Sequence, residues 1–232
     1  MPLDRSLVSG LPAFAGLSAE DVDAVLAPAR SSRFPKDSEV FAQDEEARQF
    51  FLLLSGHIRV VKTTADGEQV IARYINEGEL FGIAVAMGRT TYPASAVAAV
   101  DCVVLSWPSG IWQEIQSHFP GFGANAYQMI GGRLQDTQAR VVEMSTRQVE
   151  QRIASAVMRL VQQSGRKTGE GVEIDFPITR QDIAEMTGST LHTVSRLMSA
   201  WEDEGIVKSG RQKVTVTDPH ALMLVAENRR KK

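Results

Sequence analysis

The spacing of apolar residues changes once along this chain, and that change limits the folds it can adopt. From residue 33 to residue 105, short apolar and β-branched runs alternate with turn residues. Strands that recur in this way about every 8–12 residues are typical of an antiparallel barrel or roll. From Gly123 onward, apolar residues recur at intervals of three and four, which is the period of an α-helix. The chain is therefore predicted to be an α+β protein, with a β domain first and helices after it.

Capping and turn residues predict several local boundaries. Residues 18–30 are expected to form a short helix with Ser18 as its N-cap. Asp66-Gly67 predicts a type I′ hairpin turn, because both central residues of that turn need positive φ. Residues 164–171, rich in glycine and charge, are predicted to be a loop or linker.

Composition and charge narrow the class of protein. A single cysteine, Cys102, excludes an internal disulfide and favours a cytoplasmic protein. No run of about 18 apolar residues predicts a membrane span, and the N-terminus does not resemble a secretory signal. Residues 1–150 carry 12 Lys and Arg against 18 Asp and Glu, a net charge of −6, and residues 151–232 carry 13 against 10, a net charge of +3. This asymmetry predicts two domains with different partners, of which the basic one suits nucleic acid.

The first long helix carries six residues at the a and d positions of a heptad repeat. One interpretation is an amphipathic helix packed on its own domain, and the other is a self-complementary dimer seam. The unbroken heptad spacing and the polar opposite face favour the seam, so we expect a homodimer. The predicted seam residues are Tyr127, Ile130, Leu134, Thr137, Val141 and Met144.

Two short helices are predicted around Gly188. Thr179 and Asp182 form a capping-box-like pair at the start of the first helix, which is expected to run to about Met186. Gly188 suits a tight turn that needs positive φ, and a second helix follows from about Thr190 to Asp203. Two helices joined in this way form a helix-turn-helix.

The polar face of the second helix predicts what it contacts. With Val194 and Leu197 turned inward, His192, Ser195 and Arg196 face outward near the helix start, where this motif contacts base edges in the major groove. Arginine suits that role because its guanidinium can pair bidentately with guanine. Two strands around Ser209-Gly210 are expected to form a basic wing. The residues expected to contact the DNA backbone are Thr179, Arg180, Gln181, Thr190, Thr193, Lys208, Arg211 and Lys213.

A packing role is the alternative, since helix-Gly-helix segments occur in many proteins and surface Ser, His and Arg are usually solvated. Turn spacing, outward polar residues, the wing and the basic charge of this region agree with one another. Together they favour double-stranded DNA as the partner.

These motifs resemble the Crp/Fnr superfamily of bacterial transcription regulators over nearly the whole chain. The most specific part is "ITRQDIAEMTG" with "TVSRL" and "WEDEGIV", and "DEEARQFFLLLSGHIRVVKTTADGEQVIARYINEGELFG" resembles the family's cyclic-nucleotide-binding β-roll. The resemblance implies a sensory β-roll domain (1–122), a dimerisation helix (123–147) and a winged helix-turn-helix DNA-binding domain (148–232). It also implies an inverted-repeat DNA site, and RNA polymerase as a partner if the protein activates transcription.

Two segments suggest which branch the chain resembles. In the Fnr branch the recognition helix carries a Glu-x-x-Ser-Arg pattern; Ser195 and Arg196 match it, and His192 stands in place of the glutamate. The segment "TTYPASA" loosely resembles the denitrification-regulator branch. We therefore expect the chain to lie nearer these branches than the cyclic-AMP-binding members.

The effector is expected to differ from cyclic AMP. Cyclic-AMP-binding members place a glutamate after the glycine of an "FGE" motif and an adjacent Arg and Ser further on. This chain has Phe81-Gly82-Ile83 and then Tyr92-Pro93-Ala94-Ser95, and the apolar residues here suit a small apolar ligand, a haem edge or no ligand. The candidate pocket residues are Gly82, Ile83, Arg89, Tyr92, Pro93 and Ser95.

The sequence also limits which cofactors this chain could bind. One cysteine cannot ligate an iron–sulfur cluster. Haem, with nitric oxide or carbon monoxide as the signal, is left open, with His57, His118 or a methionine as the axial ligand. No metal site is predicted.

The regulator has two alternatives from other classes of function. The alternative is a cyclic-nucleotide-binding signalling module that acts through protein contacts, and Arg196 with the wing argues against it. An enzyme is not expected, because no catalytic set of residues and no phosphate-binding glycine loop is present.

Overall fold

The computed structural model describes residues 4–229, which form two compact units. The first contains residues 4–68 and 72–136, and the second contains residues 69–71 and 137–229. Each unit has its own buried core, and each is described by itself below.

The first unit is built on two four-stranded sheets. One has the strand order β1-β8-β3-β6 and the other has the order β2-β7-β4-β5. The strands are β1 (Arg30–Phe34), β2 (Glu39–Phe41), β3 (Gln49–Ser55), β4 (Ile58–Thr63), β5 (Gln69–Ile75), β6 (Leu80–Phe81), β7 (Ser95–Ala98) and β8 (Cys102–Pro108). The predicted β-rich segment is therefore confirmed as a two-sheet domain.

The apolar run of β3 is continuous because both faces of this strand are buried. Phe50 and Leu52 belong to a cluster that includes the helices of the first unit, whereas Phe51 and Leu53 belong to the other cluster, shared with strands of the second sheet. Trp107 on the paired strand β8 extends the helix-side cluster, and its indole Nε1 donates to the Val25 carbonyl at 2.8 Å. A strand with two buried faces shows no apolar–polar alternation.

Three helices flank these sheets: α1 (Ala19–Leu26), α2 (Trp112–His118) and α3 (Pro120–Thr146). Ser18 caps α1 as predicted, and its hydroxyl accepts from the backbone N–H of Asp21 at 3.1 Å. The helix ends at Leu26, however, and residues 30–34 form β1, which the sequence did not predict. This strand is polar and largely exposed, and antiparallel pairing with β8 stabilises it as a sheet edge.

The hairpin between β4 and β5 differs from its predicted form. Asp66 and Gly67 do lie at the turn, but residues 64–68 make a five-residue loop in which Gly67 has a φ of 82° and Asp66 is not among the positive-φ residues. The Gly67 N–H donates to the Thr64 carbonyl at 3.0 Å, and the Thr64 N–H donates to the Glu68 carbonyl at 2.9 Å. The type I′ assignment is therefore wrong, since that turn needs two residues with positive φ.

The second unit combines four helices and a four-stranded sheet with the last ten residues of α3. The sheet order is β11-β12-β10-β9. The elements are α4 (Val149–Ser164), β9 (Gly165–Thr168), β10 (Gly171–Ile174), α5 (Arg180–Thr187), α6 (Leu191–Asp203), β11 (Val207–Gly210), β12 (Lys213–Val216) and α7 (Pro219–Ala226).

Two predictions in this unit are corrected. Residues 164–171 are not a linker, because 165–168 form β9 and pair antiparallel with β10, and Arg166 on β9 forms an ion pair with Glu173 at 2.9 Å. The wing turn lies at Arg211-Gln212 rather than at Ser209-Gly210, since Gly210 pairs with Lys213 and Gln212 has a φ of 60°. The wing is thus confirmed, with its turn two residues later than expected.

Candidate functional site

The helix-turn-helix has the predicted local geometry. The Thr179 hydroxyl accepts from the backbone N–H of Asp182 at 3.0 Å, and the Asp182 carboxylate accepts from the Thr179 N–H at 2.7 Å, which completes a capping box at the start of α5. Gly188 ends α5 in the left-handed region with a φ of 57°, where a residue with a Cβ is strained. Thr190 then caps α6, with its hydroxyl accepting from the Thr193 N–H at 3.1 Å.

The inner and outer faces of α6 separate as predicted. Val194 and Leu197 are buried, as are Ile183 and Ala184 on α5. On the outer face, His192 and Arg196 are exposed and Ser195 is partly exposed. Within residues 4–229, the side chains of His192 and Arg196 make no hydrogen bond or ion pair. Both are therefore available to a partner.

Several of the predicted backbone contacts already have partners inside the domain. The Arg180 guanidinium donates to the Ser209 hydroxyl at 2.9 Å and lies 3.3 Å from the Glu202 carboxylate, which links α5, α6 and β11. Gln181 donates to Glu185 at 3.0 Å, and the hydroxyls of Thr190 and Thr193 lie 3.0 Å apart. The Arg180 contacts give this residue a structural role that the sequence did not predict.

The wing cations differ in what they contact. The Lys208 ammonium lies 2.8 Å from the Glu170 carboxylate, and the Lys213 ammonium lies 3.6 Å from the Glu173 carboxylate. Arg211 is exposed in the wing turn. The Lys208–Glu170 pair is exposed on both sides and contributes little free energy, about 0–1 kcal/mol, whereas the Glu173 side chain is only 15% exposed.

The predicted seam is largely exposed on α3 in the single chain. Tyr127, Leu134, Val141 and Met144 are 43%, 58%, 61% and 45% exposed. Thr137 is also exposed, whereas Ile130 is partly buried against the helix-side cluster of the first unit. The sequence-based prediction did not include Val142, whose side chain is 60% exposed beside this row. Packing within one chain therefore leaves most of the apolar row uncovered.

A cavity of about 150 Å³ lies in the first unit beside the Gly82 turn. Gly82, Ile83, Tyr92 and Pro93 line it, whereas Arg89 and Ser95 are not among its lining residues. Arg89 is exposed, and the Ser95 hydroxyl accepts from the Gln43 N–H at 2.9 Å. The remaining apolar lining comes mainly from Phe41, Val60, Ile75, Phe81, Ala84 and Met87.

The turn at Gly82 is constrained by aromatic packing. Gly82 has a φ of 63°, and a Cβ there would lie 2.9 Å from Cδ2 of Phe51 and 3.0 Å from Cε1 of Phe41. The ring of Phe41 also stacks on Tyr92 with 3.8 Å between ring centroids, and the Tyr92 hydroxyl donates to the Gln49 carbonyl at 2.7 Å. Glycine is therefore required both by the backbone conformation and by the close approach of these rings.

Two arginines, Arg73 and Arg133, are the charged residues that line this cavity. Both form ion pairs with the Glu79 carboxylate, and for Arg133 the distance from Nη2 to Oε2 is 3.3 Å. Arg133 also donates to the Leu80 carbonyl. Burial, and after it the positive charge of Arg73, lowers the pKa of Arg133 to about 10, while Glu79 opposes both effects.

The sequence-based prediction missed these two arginines. Arg73 is the single charge within the strand run "VIARYI", and Arg133 follows two glycines in α3. A charge inside an apolar strand is a signal for a specific contact. Their proximity to each other depends on tertiary packing, so the sequence does not reveal it.

The candidate haem ligands do not converge on the cavity. Nδ1 of His57 lies 3.1 Å from the Asn76 side-chain oxygen, and Nδ1 of His118 lies 3.0 Å from the Glu114 carbonyl. Neither histidine lines the cavity, and Met87 is the methionine that does. Across residues 4–229, no group of three or more His, Cys, Asp or Glu side chains is placed to bind a metal ion. In the same range, no helix is long and apolar enough to cross a membrane.

Comparison with known proteins agrees with this arrangement. Residues 31–118 match the family model of a cyclic nucleotide-binding domain, and residues 151–225 match a Crp-like helix-turn-helix domain. The cyclic AMP receptor protein of Thermus thermophilus is 26% identical over 94% of this chain and 98% of that protein. The nitrogen fixation regulation protein FixK of Azorhizobium caulinodans is 25% identical, with 96% and 89% covered.

Solved structures show the same fold. FixK2 from Bradyrhizobium japonicum matches with a TM-score of 0.75 at 21% identity, covering 85% of this chain and 96% of that one. A nucleotide-binding-type β domain, a long helix and a Crp-like helix-turn-helix thus occur here in the same order along the chain. The chain is therefore a DNA-binding transcription regulator that belongs to the Crp/Fnr family.

Proposed function

We propose that this chain acts as a homodimer that binds an inverted-repeat DNA site through α6 and responds to an effector other than cyclic AMP. In this proposal residues 1–122 are the sensory domain, 123–147 form the dimerisation helix and 148–232 bind DNA. The observation that carries it is the outer face of α6, where His192 and Arg196 are exposed and contact no partner within residues 4–229, beside a buried inner face. If the protein activates transcription, RNA polymerase is its further partner.

Arg196 is proposed to contact a guanine, and Ser195 and His192 to contact neighbouring base edges. A guanidinium pairs bidentately with the O6 and N7 atoms of guanine. Lys208, Arg211 and Lys213 on the wing are proposed to contact phosphates, as are the residues at the start of α5 and α6. Arg180 would do so only through donors that its contacts with Glu202 and Ser209 leave available.

Fluorescence anisotropy with a selected operator, and with the same operator changed at single base pairs, tests these contacts. Arg196→Ala is expected to cost about 1–3 kcal/mol on the selected site and to flatten the preference at one base pair. Lys213→Ala is the matched control, because loss of a phosphate contact weakens all sequences about equally. Equal affinity of Arg196→Ala and the parent for the selected site would refute the proposed base contact.

The proposal on cyclic AMP is supported by the cavity lining. Ile83 is buried where the cyclic-AMP-binding members carry a glutamate, and among the described residues 4–229 no carboxylate lines the cavity. An unmet ribose hydroxyl costs roughly 1–3 kcal/mol, or about one to two orders of magnitude in affinity. Calorimetry with cyclic AMP and cyclic GMP should detect no micromolar binding. Micromolar nucleotide binding that raises affinity for DNA would refute this part.

Haem control is not part of the proposal, because the residues do not fit it. The cavity volume of about 150 Å³ is below the roughly 300–1,000 Å³ of pockets that take drug-sized ligands, and the two histidines are engaged elsewhere. An absorbance scan of protein purified with added haem checks this, and no Soret band is expected.

A further inference from the structure

The positive charge of the DNA-binding region is concentrated in one short segment of its sequence. Residues 151–228 carry 9 Lys and Arg against 10 Asp and Glu, a net charge of −1. The next four residues are all cations, and they form the basic run: Arg229, Arg230, Lys231 and Lys232. The net charge of +3 over residues 151–232 therefore comes from the basic run alone.

Most of the cations that precede the basic run already have an anionic partner. Within residues 151–228, five of the nine Lys and Arg side chains form an ion pair with a carboxylate, at distances from 2.7 to 3.6 Å. They are Arg159, Arg166, Arg180, Lys208 and Lys213. A DNA phosphate would have to compete with these carboxylates for the same cations. Residues 151–228 therefore offer DNA little positive charge that is not already balanced.

Duplex DNA favours proteins that bring such charge to it. It carries one negative charge about every 1.7 Å along its axis, and lysine or arginine side chains that neutralise phosphates release condensed counterions. Each neutralised phosphate contributes about −0.9 to the slope of log K against log salt concentration. A nearly neutral region that contacts bases through α6 lacks much of this contribution, and the basic run can supply it.

The basic run begins where α7 ends, beside the last turn of α3. Asn228 has a φ of 56°, and the Arg229 N–H donates to the Leu224 carbonyl at 2.9 Å, which ends the helix. Just before this point, the Ala226 carbonyl accepts from Nη1 of Arg147 at 3.5 Å. Arg147 directly follows the last residue of α3, so the start of the basic run is held against that end of the helix.

The same turn of α3 also contacts the helix-turn-helix. A Cβ on Gly188 would lie 2.8 Å from Cε of Met144, which precedes Arg147 by about one helical turn. Four extended residues span at most about 14 Å, which exceeds the roughly 10–12 Å diameter of a helix with its side chains. From its starting point the basic run is therefore long enough to extend past one neighbouring helix toward a duplex bound by α6.

The first cation of the basic run is available to a new anion. The Arg229 side chain is 73% exposed, and it forms an ion pair at 3.2 Å with Glu227, which is 41% exposed. Exposed pairs of this kind contribute little to stability, so a phosphate can replace the carboxylate.

We propose that the basic run contacts DNA phosphates beside the bases that α6 contacts, and that it supplies a large part of the sequence-independent affinity for DNA. The proposal rests on the DNA-binding part of the proposed function, and it does not depend on the dimer or the effector. Because phosphates are the same in every sequence, the basic run adds affinity without adding preference for a base.

Salt dependence of DNA binding tests the proposal on the full chain. The test variant combines Arg229→Gln, Arg230→Gln, Lys231→Gln and Lys232→Gln. Fluorescence anisotropy is measured with a selected operator and with a scrambled duplex, from about 50 to about 200 mM potassium chloride. We expect the slope of log K against log salt to become shallower by about 2–4, as for the loss of two to four phosphate contacts. At about 100 mM salt, both duplexes should bind about tenfold more weakly or worse, with the ratio between them unchanged.

A matched control removes the same number of charges elsewhere. It replaces four exposed cations of the first unit by glutamine: Arg5, Arg30, Arg48 and Lys62. This control should keep the slope of the parent. An equal loss of slope in the control would mean that net charge acts at long range, and the contact would be refuted. A test variant with the slope of the parent would refute it too. Tighter DNA binding by the test variant would point to the acidic first unit as the partner of the basic run and would also overturn the proposal.

Two double variants keep the proposal testable if the fourfold variant fails to fold. Arg229→Gln with Arg230→Gln, and Lys231→Gln with Lys232→Gln, should each lose about half of the change in slope, with circular dichroism like that of the parent. Two double variants that both keep the slope of the parent would overturn the proposal.

The two duplexes separate this proposal from the proposed base contacts. If the parent binds both duplexes equally and the test variant loses slope, the basic run stands and the base contacts of α6 fail. If Arg196→Ala loses preference for the operator while the test variant keeps the slope of the parent, the base contact stands and the basic run fails alone.

Discussion

His192 occupies the position of α6 where the Fnr branch carries a glutamate, and its side chain is exposed and without a partner within residues 4–229. A carboxylate there accepts from the N4 amino group of cytosine, whereas a neutral imidazole donates or accepts according to its tautomer. His192→Glu should therefore raise the preference for cytosine at one base pair by about 1 kcal/mol or more. Anisotropy with the four base pairs at each operator position measures this, and an identical four-base profile for parent and variant would contradict it.

Cys102 and Tyr92 predict how stability depends on alkaline pH. Burial raises the pKa of the Cys102 thiol above its usual 9.0 and that of the Tyr92 hydroxyl above its usual 10.0. The unfolded chain then releases these protons at a lower pH than the folded protein. The contribution of these groups to the free energy of unfolding is fully present below their unfolded pKa values, and it is lost as pH rises from there through their higher folded pKa values.

Cys102→Ala isolates the thiol contribution. Urea unfolding followed at several values from about pH 8 to about pH 11 should show a shallower fall in the free energy of unfolding for the variant than for the parent. Tyr92→Phe is the companion variant, and its effect should begin about one pH unit higher. Equal slopes in the parent and Cys102→Ala would show that the thiol does not contribute.

At the scale of elements, the segments that could be predicted from the sequence are those whose boundaries depend on local chemistry. The Thr179–Asp182 capping box and the left-handed Gly188 fix the ends of α5 with contacts three or four residues apart. The edge strands β1 and β9 were missed because pairing with β8 and β10, rather than apolar composition, stabilises them. The cavity arginines were missed for a related reason, since Arg73 and Arg133 are brought together by the tertiary fold.

The proposed dimer seam lies on helix α3, and substitutions on this helix test it. Leu134 and Val141 are exposed in one chain, and a homodimer would bury them. Leu134→Glu and Val141→Glu should therefore give monomers, because a buried unpaired charge costs several kcal/mol. Gln135→Glu is the control, since it adds the same charge one position away from the heptad row. Sedimentation velocity at micromolar concentration measures the outcome, and a monomeric parent would contradict the proposal.

For the whole molecule, the two-fold symmetry of the proposed dimer determines the spacing of the two half-sites in its DNA. A two-fold axis presents two copies of α6 to successive major grooves about 34 Å apart, which corresponds to about one turn of B-DNA between half-site centres. Affinity for the full site therefore depends on both copies binding at once. A single half-site binds only one copy of α6, so it lacks the added affinity of binding both copies at once, however well Arg196 matches its base.

Inserting about five base pairs between the half-sites rotates one of them by about half a turn, to the opposite face of the duplex. The parent should then lose most of its affinity and bind only as tightly as it binds one half-site, whereas Leu134→Glu, if it is monomeric, should bind the normal and the lengthened site equally. Fluorescence anisotropy with each protein on each duplex measures the four affinities. Tight binding of the parent to the lengthened site would mean that its two DNA-binding units act independently, and the two-fold dimer would have to be abandoned.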